Sequence, residues 1–258
     1  MRFAGTAAKR GTMADPLRPP PAELLDGAAL FLDFDGTLVE LADSPGAIRV
    51  PEGLRPLLER LSTRLSGRLA LVSGRAIDDL DAHLGCCGIA VSGSHGLELR
   101  FADGTELPLE APAGLKAARA EVAAFTASDA RLLVEEKPAS VALHYRRAPE
   151  RAAEAEALAE DLAERTGLTL QPGKMVVELR PHGADKGDAL RRIMREPPFA
   201  GARPWFVGDD LTDEHAFAAA AQLGGGGILV GPQRDTAAVW RFDDVAAVAS
   251  WLEDAARG

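Results

Sequence analysis

The stretch Phe31-Leu-Asp-Phe-Asp-Gly-Thr-Leu38 constrains this chain more than any other. Apolar residues from Ala28 to Leu32 read as a buried strand. At its C-terminal end stand two aspartates, Asp33 and Asp35, and Gly36 and Thr37 then let the chain turn away. In an open parallel sheet, ligands bind in the crevice outside the carboxyl ends of the strands. Two carboxylates placed there cost stability unless something compensates their charge, and a divalent cation would do so. A capped strand end followed by a turn is the alternative reading of these residues taken alone.

The rest of the chain repeats the theme. Strand-like runs occur at 28–32, 69–72, 89–92, 131–135, 140–144, 175–179, 205–207 and 227–230, with helical patterns between them. Pro51 to Arg64 places Leu54, Leu57, Leu58 and Leu61 on one face. Such alternation predicts an α/β fold with a mainly parallel sheet. The segment 113–180 differs, reading helix, strand, strand, helix, strand, strand. A short polar break near Lys137-Pro138 suggests an antiparallel hairpin there. This is the pattern of a small α+β module inserted into a larger domain, leaving a discontinuous core of 21–112 and 181–258. The run Gly224 to Gly227 is expected to lead into the last core strand through a flexible turn. Residues 1–20, with Pro16, Pro19 and Pro20, are expected to form a flexible leader.

Three further strand or helix ends carry chemistry. Leu69-Ala-Leu-Val72 ends at Ser73-Gly74-Arg75, where a hydroxyl and free backbone N–H groups at a helix start make an oxyanion site. An ordinary Ser N-cap for a helix at 75–84 is the other reading. Lys186 opens another helix, against the macrodipole preference. The strand Trp205-Phe-Val207 ends in Gly208 and then Asp209, Asp210, Asp213 and Glu214, four acids within six residues that repel one another unless a cation sits among them. Carboxylates at 33, 35 and 209, a hydroxyl at 73 and an ammonium at 186 form a metal clamp plus a cationic clamp around a phosphoryl group. Hard oxygen ligands without nearby His or Cys point to Mg²⁺.

Charge and cysteine content bound the partners. The chain of 258 residues carries a formal net charge of −10, which argues against nucleic acid and against a polybasic membrane contact. The two cysteines, Cys86 and Cys87, are adjacent and would bridge only with strain, which fits a reducing cytoplasm. No apolar run reaches the length of a membrane span. The expectation is a cytoplasmic monomer acting on a small molecule.

The ordered set of D-x-D-G-T, hydroxyl, lysine and G-D-D motifs resembles the haloacid dehalogenase superfamily of phosphotransferases, from about residue 28 onward. Further strings resemble the trehalose-6-phosphate phosphatases. These are Val72-Ser-Gly-Arg75, Gly93-Ser-His-Gly-Leu-Glu98, Glu135-Glu-Lys137, Leu143-His-Tyr-Arg146, Lys174-Met-Val-Val-Glu-Leu-Arg180 and Gly208-Asp-Asp-Leu-Thr-Asp-Glu214. The resemblance implies a Rossmann-like core whose inserted module is a cap that recognises the sugar. It implies Asp33 as nucleophile and Asp35 as acid and base, with the Asp35 carbonyl, Asp33 and Asp209 on Mg²⁺. Asp210 and Asp213 would support the metal site from behind, and Ser73 and Lys186 would hold phosphate. Arg75, Glu135, Lys137, Arg146, Lys174 and Glu178 would meet the substrate. His95 and His144 fit better as packed, hydrogen-bonded residues than as catalysts. Sucrose-phosphate or mannosyl-phosphoglycerate chemistry would use the same core, and a phospho-sugar sensor without turnover is the reading from another class.

Overall fold

A computed structural model of the chain describes residues 16–41, 48–85, 88–107, 113–137, 139–173, 175–181 and 185–257. Cys86, Cys87, Lys174 and residues 1–15 of the expected leader lie outside the described residues, as does the side chain of His95.

Five runs of apolar sequence become neighbouring parallel strands, beginning with β1 (Ala28–Leu32) at the centre. It lies between β2 (Leu69–Val72) and β10 (Arg203–Gly208), and β3 (Ala90–Gly93) and β11 (Gly226–Val230) continue the sheet on either side. All five residues of β1 are buried, and the pleat sends them to opposite faces. Leu30 and Leu32 join the leucines of α1 (Leu54–Arg64) and the apolar face of α7 (Val245–Arg257). Ala29 and Phe31 join α5 (Lys186–Ile193) and α6 (Glu214–Gln222). Both faces are thus covered, which is why the strands read as continuous apolar runs. The chain leaves β1 for β2 on one side and returns as β10 on the other, so a crevice opens beyond the ends of these three strands.

Three sheet strands have no counterpart in the sequence reading. Two of them, β4 (Glu98–Arg100) and β5 (Glu106–Leu107), run antiparallel beyond β3 and are too short to show a period. The third, β12 (Ala238–Phe242), pairs parallel with β11 as the edge strand, so the glycine run does not lead into the last strand. Nor is the whole run a turn, since only Gly224, with φ +81°, lies in one, and Gly226 and Gly227 already belong to β11. A Cβ at Gly225 would strike the Pro204 carbonyl, and one at Gly227 would strike the Phe217 ring. Gly225 and Gly227 are there for close approach of backbone and helix. Near this edge Arg241 N donates to the Arg18 carbonyl at 2.9 Å, and Leu17 N donates to Gln233 Oε1 at 3.1 Å. Leu17 and Arg18 are therefore tied to the sheet and do not behave as leader.

The middle segment folds in the expected order of elements. Here α3 (Leu115–Thr126), β6 (Leu133–Glu136), β7 (Val141–His144), α4 (Ala152–Thr166), β8 (Thr169–Gly173) and β9 (Val176–Arg180) build an antiparallel sheet, ordered β6-β7-β9-β8, with its own apolar cluster. Val141, Leu143, Val177 and Leu179 pack with α3 and α4. The alternate positions, Glu135, Ala142, Glu178 and Gln171, lie in register on the other face. Among the described residues no helix is long and apolar enough to cross a membrane.

Candidate active site

The site is built where the apolar runs stop. Past the end of β1, Asp33 N still donates to the Val207 carbonyl at 2.9 Å, holding the first carboxylate at the strand end. The chain then curls, with Leu38 N and Val39 N both reaching the Phe34 carbonyl. Gly36 makes this possible twice over. Its φ of +75° is left-handed, and a Cβ there would run into the Asp209 carboxylate. Gly208 has the same task on the facing strand, where a Cβ would meet the Asp213 side chain. Lys186 is the first residue of α5, whose N-cap is the Asp185 carboxylate accepting from Asp188 N.

Lys186 sits between two acids in a buried cluster. Its Nζ lies 2.9 Å from Asp33 Oδ2 and 2.5 Å from Asp213 Oδ1. The other oxygen of Asp213 accepts from Asp210 N at 2.9 Å. One carboxylate oxygen each from Asp33, Asp209 and Asp213 lies within 4.8 Å of the others. Burial pushes Asp33 up to about 8, Lys186 pulls it down, and Asp213 adds repulsion. Asp209 is pushed up to about 6 by burial and then by the Asp213 charge. Asp213 is raised by burial against the pull of Lys186. Burial would discharge Lys186, but Asp33 and Asp213 outweigh it and hold the ammonium above its ordinary range. Two carboxyl groups, Asp33 and Asp213, thus share one lysine, and among the described residues Asp209 Oδ1 is buried with no hydrogen-bond partner. An orphaned oxygen among hard oxygen donors fits a divalent cation such as Mg²⁺. Asp33 and Asp209 have oxygens to give it, whereas both Asp213 oxygens are engaged.

A cleft of about 370 Å³ lies over this cluster, and its described lining includes Asp35, Ser73, Gly74, Asp210 and Thr212. The Ser73 hydroxyl accepts from Arg75 N at 3.2 Å. It does not cap the next helix, because α2 (Ile77–Leu84) starts later, after Ala76. Glu98 supplies that cap instead, accepting from Ile77 N at 2.7 Å and from Ser94 Oγ at 3.0 Å. Asp210 caps the short 3-10 turn Leu211–Asp213. The Arg75 side chain turns onto Asp35, with Nε 2.6 Å from Oδ2 and Nη2 2.9 Å from Oδ1.

Two supports escape the sequence reading. Arg234 pairs with Glu214 and donates to the Asp210 carbonyl at 2.9 Å, clamping the acidic loop from the chain between β11 and β12. Glu214 in turn accepts from Thr236 Oγ1 and Ala237 N, both at 2.8 Å. Neither Arg234 nor Glu98 stands at the end of an apolar run. The only sequence signal was Glu98 inside the Gly93 to Glu98 string, without a role.

The remaining candidates gather on the second sheet, in pairs the sequence did not name. Lys137 lies just past β6, not on it, and its Nζ reaches both Glu178 carboxylate oxygens at 3.2 Å. Ser140 Oγ also donates to Glu178, at 2.5 Å. Glu135 Oε2 meets His144 Nε2 at 2.8 Å. Arg146 is exposed in the turn after β7. None of these four candidates is in the described lining of the cleft.

Residues 31–245 match the family model described as trehalose-phosphatase. The chain is 46% identical over 210 residues to a probable trehalose-phosphate phosphatase of Sinorhizobium fredii, covering 81% of this chain and 79% of that protein. It is 37% identical over 243 residues to the trehalose-6-phosphate phosphatase of Escherichia coli, covering 93% and 91%. The C-terminal domain of C. albicans trehalose-6-phosphate phosphatase superposes with a TM-score of 0.71 at 22% identity, over 94% of this chain and 98% of that one. A haloacid dehalogenase-like hydrolase of Bacteroides thetaiotaomicron shares the fold, with a TM-score of 0.65 at 17% identity, over 88% and 98%.

Proposed function

The chain belongs to the trehalose-phosphatase family, and on that premise we propose that it hydrolyses trehalose 6-phosphate to trehalose and phosphate, with Mg²⁺ as cofactor and an aspartyl-phosphate on Asp33. The observation that carries the reading is the buried cluster in which Asp33 and Asp213 share one lysine beside the orphaned Asp209 oxygen. Mg²⁺ held by Asp33, Asp209 and the Asp35 carbonyl would, when bound, neutralise the charge of the phosphate dianion.

The residues of the chain divide the work. Lys186, Ser73 and the N–H groups after it hold the phosphate oxygens. Asp33 attacks phosphorus in line, the ester bond to the sugar oxygen breaks, and Asp35 gives that oxygen a proton. Water then attacks the phosphoryl-aspartate, its proton passes to Asp35, and the Asp33 carboxylate is restored. Segment 113–180 would act as the cap, excluding bulk water and reading the sugar through Glu135, Lys137, Arg146, Lys174 and Glu178. The net charge of −10 supports a small-molecule substrate over nucleic acid. Action in the cytoplasm as a monomer belongs to the same proposal.

Phosphate release from a panel of phospho-sugars, with Mg²⁺ and with excess chelator, tests this reading. Trehalose 6-phosphate should lead the panel and chelator should abolish turnover. Preference for sucrose-phosphate or mannosyl-phosphoglycerate would reassign the substrate. Tight binding without release would leave only a sensor.

Metal binding should be linked to pH. A cation takes only the ionised carboxylates, and burial pushes Asp33 up to about 8 and Asp209 up to about 6. Protons must therefore leave as Mg²⁺ enters, so its affinity should rise as pH climbs from about 6 to about 8. Calorimetry in buffers of different ionisation enthalpy reads the released protons directly. An affinity flat across that range contradicts the assignment.

The sugar-reading pair makes a separate prediction. Glu178→Ala or Lys137→Ala should cut turnover of trehalose 6-phosphate by one to three orders of magnitude, about 1.4–4 kcal/mol. Each change also removes the other's ion-pair partner, although Glu178 keeps the Ser140 hydroxyl. p-Nitrophenyl phosphate, which makes no sugar contacts, should be hydrolysed nearly as before. Equal loss on both substrates would assign these residues to structure.

A further inference from the structure

The Arg75 guanidinium is fixed on every side. It forks onto both Asp35 oxygens at 2.6 and 2.9 Å, and its third arm meets Asp79 Oδ2 at 2.6 Å. It lies 5.9 Å from the centre of the Phe34 ring, and its side chain is only 10% exposed. Its backbone is held as firmly, since Arg75 N donates to Ser73 Oγ and the Arg75 carbonyl accepts from Ser94 N at 2.7 Å. Glu98, bonded to Ile77 N and Ser94 Oγ, ties both ends of this loop together. The Gly93 to Glu98 string thereby gains a task, which is to brace the loop that presents Arg75.

We propose that Arg75 is a positioning residue that aims the Asp35 carboxylate at the leaving oxygen, and that it does not read the sugar. The proposal rests on the phosphatase reading above. Asp35 stands on a turn after a strand end, with its side chain 30% exposed in the cleft. A short exposed side chain in that place is free to rotate, and a misplacement of about 1 Å can cost on the order of 10²-fold in rate. The planar fork removes that freedom, because two parallel N–H···O bonds fix the plane of the carboxylate. A carboxylate has about four acceptor positions, and the fork takes two. One of the others can carry the proton that Asp35 gives to the sugar oxygen and later takes back from water. Lysine cannot reproduce the fork, since it offers a point charge without a plane.

The test is the dependence of kcat/KM on the leaving group. For aryl phosphates this ratio reads the steps up to phosphoryl transfer, where Asp35 donates its proton. p-Nitrophenolate leaves without help, whereas phenolate and a sugar alkoxide need the proton. Arg75→Met and Arg75→Lys should hydrolyse p-nitrophenyl phosphate within about threefold of wild type, and phenyl phosphate and trehalose 6-phosphate at least about thirtyfold more slowly. The loss on trehalose 6-phosphate should fall on kcat, with KM within about threefold. Asp79→Ala, at a half-exposed position, removes the third arm together with a 3.7 Å contact to His83 on the same helix, leaves the fork on Asp35, and should steepen the dependence in the same sense, so the question is decided even if Arg75→Met fails to fold. A uniform loss across the aryl series, a loss confined to KM for the disaccharide, or no loss would each overturn the proposal. If wild type cleaves aryl phosphates but not trehalose 6-phosphate, the substrate reading falls and the aryl series still decides the role of Arg75. A wild type that cleaves no phosphate ester overturns both.

Discussion

Asp33→Asn should lower turnover of trehalose 6-phosphate by about 10³-fold or more while leaving the chain folded, a barrier increase of about 4 kcal/mol. The amide matches the carboxylate in shape and can occupy the same strand end, where Asp33 N bonds the Val207 carbonyl whatever the side chain. It cannot attack phosphorus as an anion. It also leaves Lys186 with Asp213 alone, so the ammonium stays paired. Steady-state kinetics alongside thermal melting separates loss of chemistry from loss of fold. A variant keeping a tenth of the wild-type rate would remove Asp33 from the role of nucleophile.

Lys186→Met should cost both stability and rate. Lys186 is buried at the start of α5, touching Asp33 and Asp213 at once. Methionine fills most of the same volume but leaves two buried carboxyl groups facing each other without a cation. Breaking a buried pair from one side costs about 3–5 kcal/mol. Denaturant melts of the metal-free chain should show that loss, and Mg²⁺ should recover part of it by supplying the missing charge. Turnover should fall by about 10²–10³-fold, since a fixed donor to the phosphate is gone. A loss below about 1 kcal/mol together with unchanged turnover would mean that Lys186 is a bystander to both acids.

What could be read from sequence follows a physical line. Asp33, Asp209 and Ser73 each stand at the end of an apolar run, and the run itself announces a strand and its direction. Their convergence then follows from parallel pairing of β1, β2 and β10. Lys186 was visible because a cation at a helix start is out of place. The order of elements in 113–180 was visible in the period change. Partner exchange was not. Lys137 with Glu178 depends on the pairing of segments about forty residues apart, and Glu135 with His144 on the register of the β6–β7 hairpin, where one residue of slip moves every side chain to the other face. The string that holds Arg75 gives no hint of its contact with Asp35, forty residues earlier. Arg234 reaches the acidic loop from a connection whose composition says only that it is a loop. A run of glycines at 224–227 does not by composition distinguish freedom from the tight packing of Gly225 against Pro204 and of Gly227 against Phe217.

The central claim is that phosphate passes through Asp33 on its way to water. Stereochemistry at phosphorus tests it most directly. Trehalose 6-phosphorothioate, made chiral at phosphorus with two oxygen isotopes beside the sulfur, would be hydrolysed in water carrying the third isotope, and the configuration of the released thiophosphate determined. Each in-line transfer inverts the centre. Two transfers, to Asp33 and then to water, predict net retention. Net inversion would mean that water attacks the substrate directly, and would contradict the account.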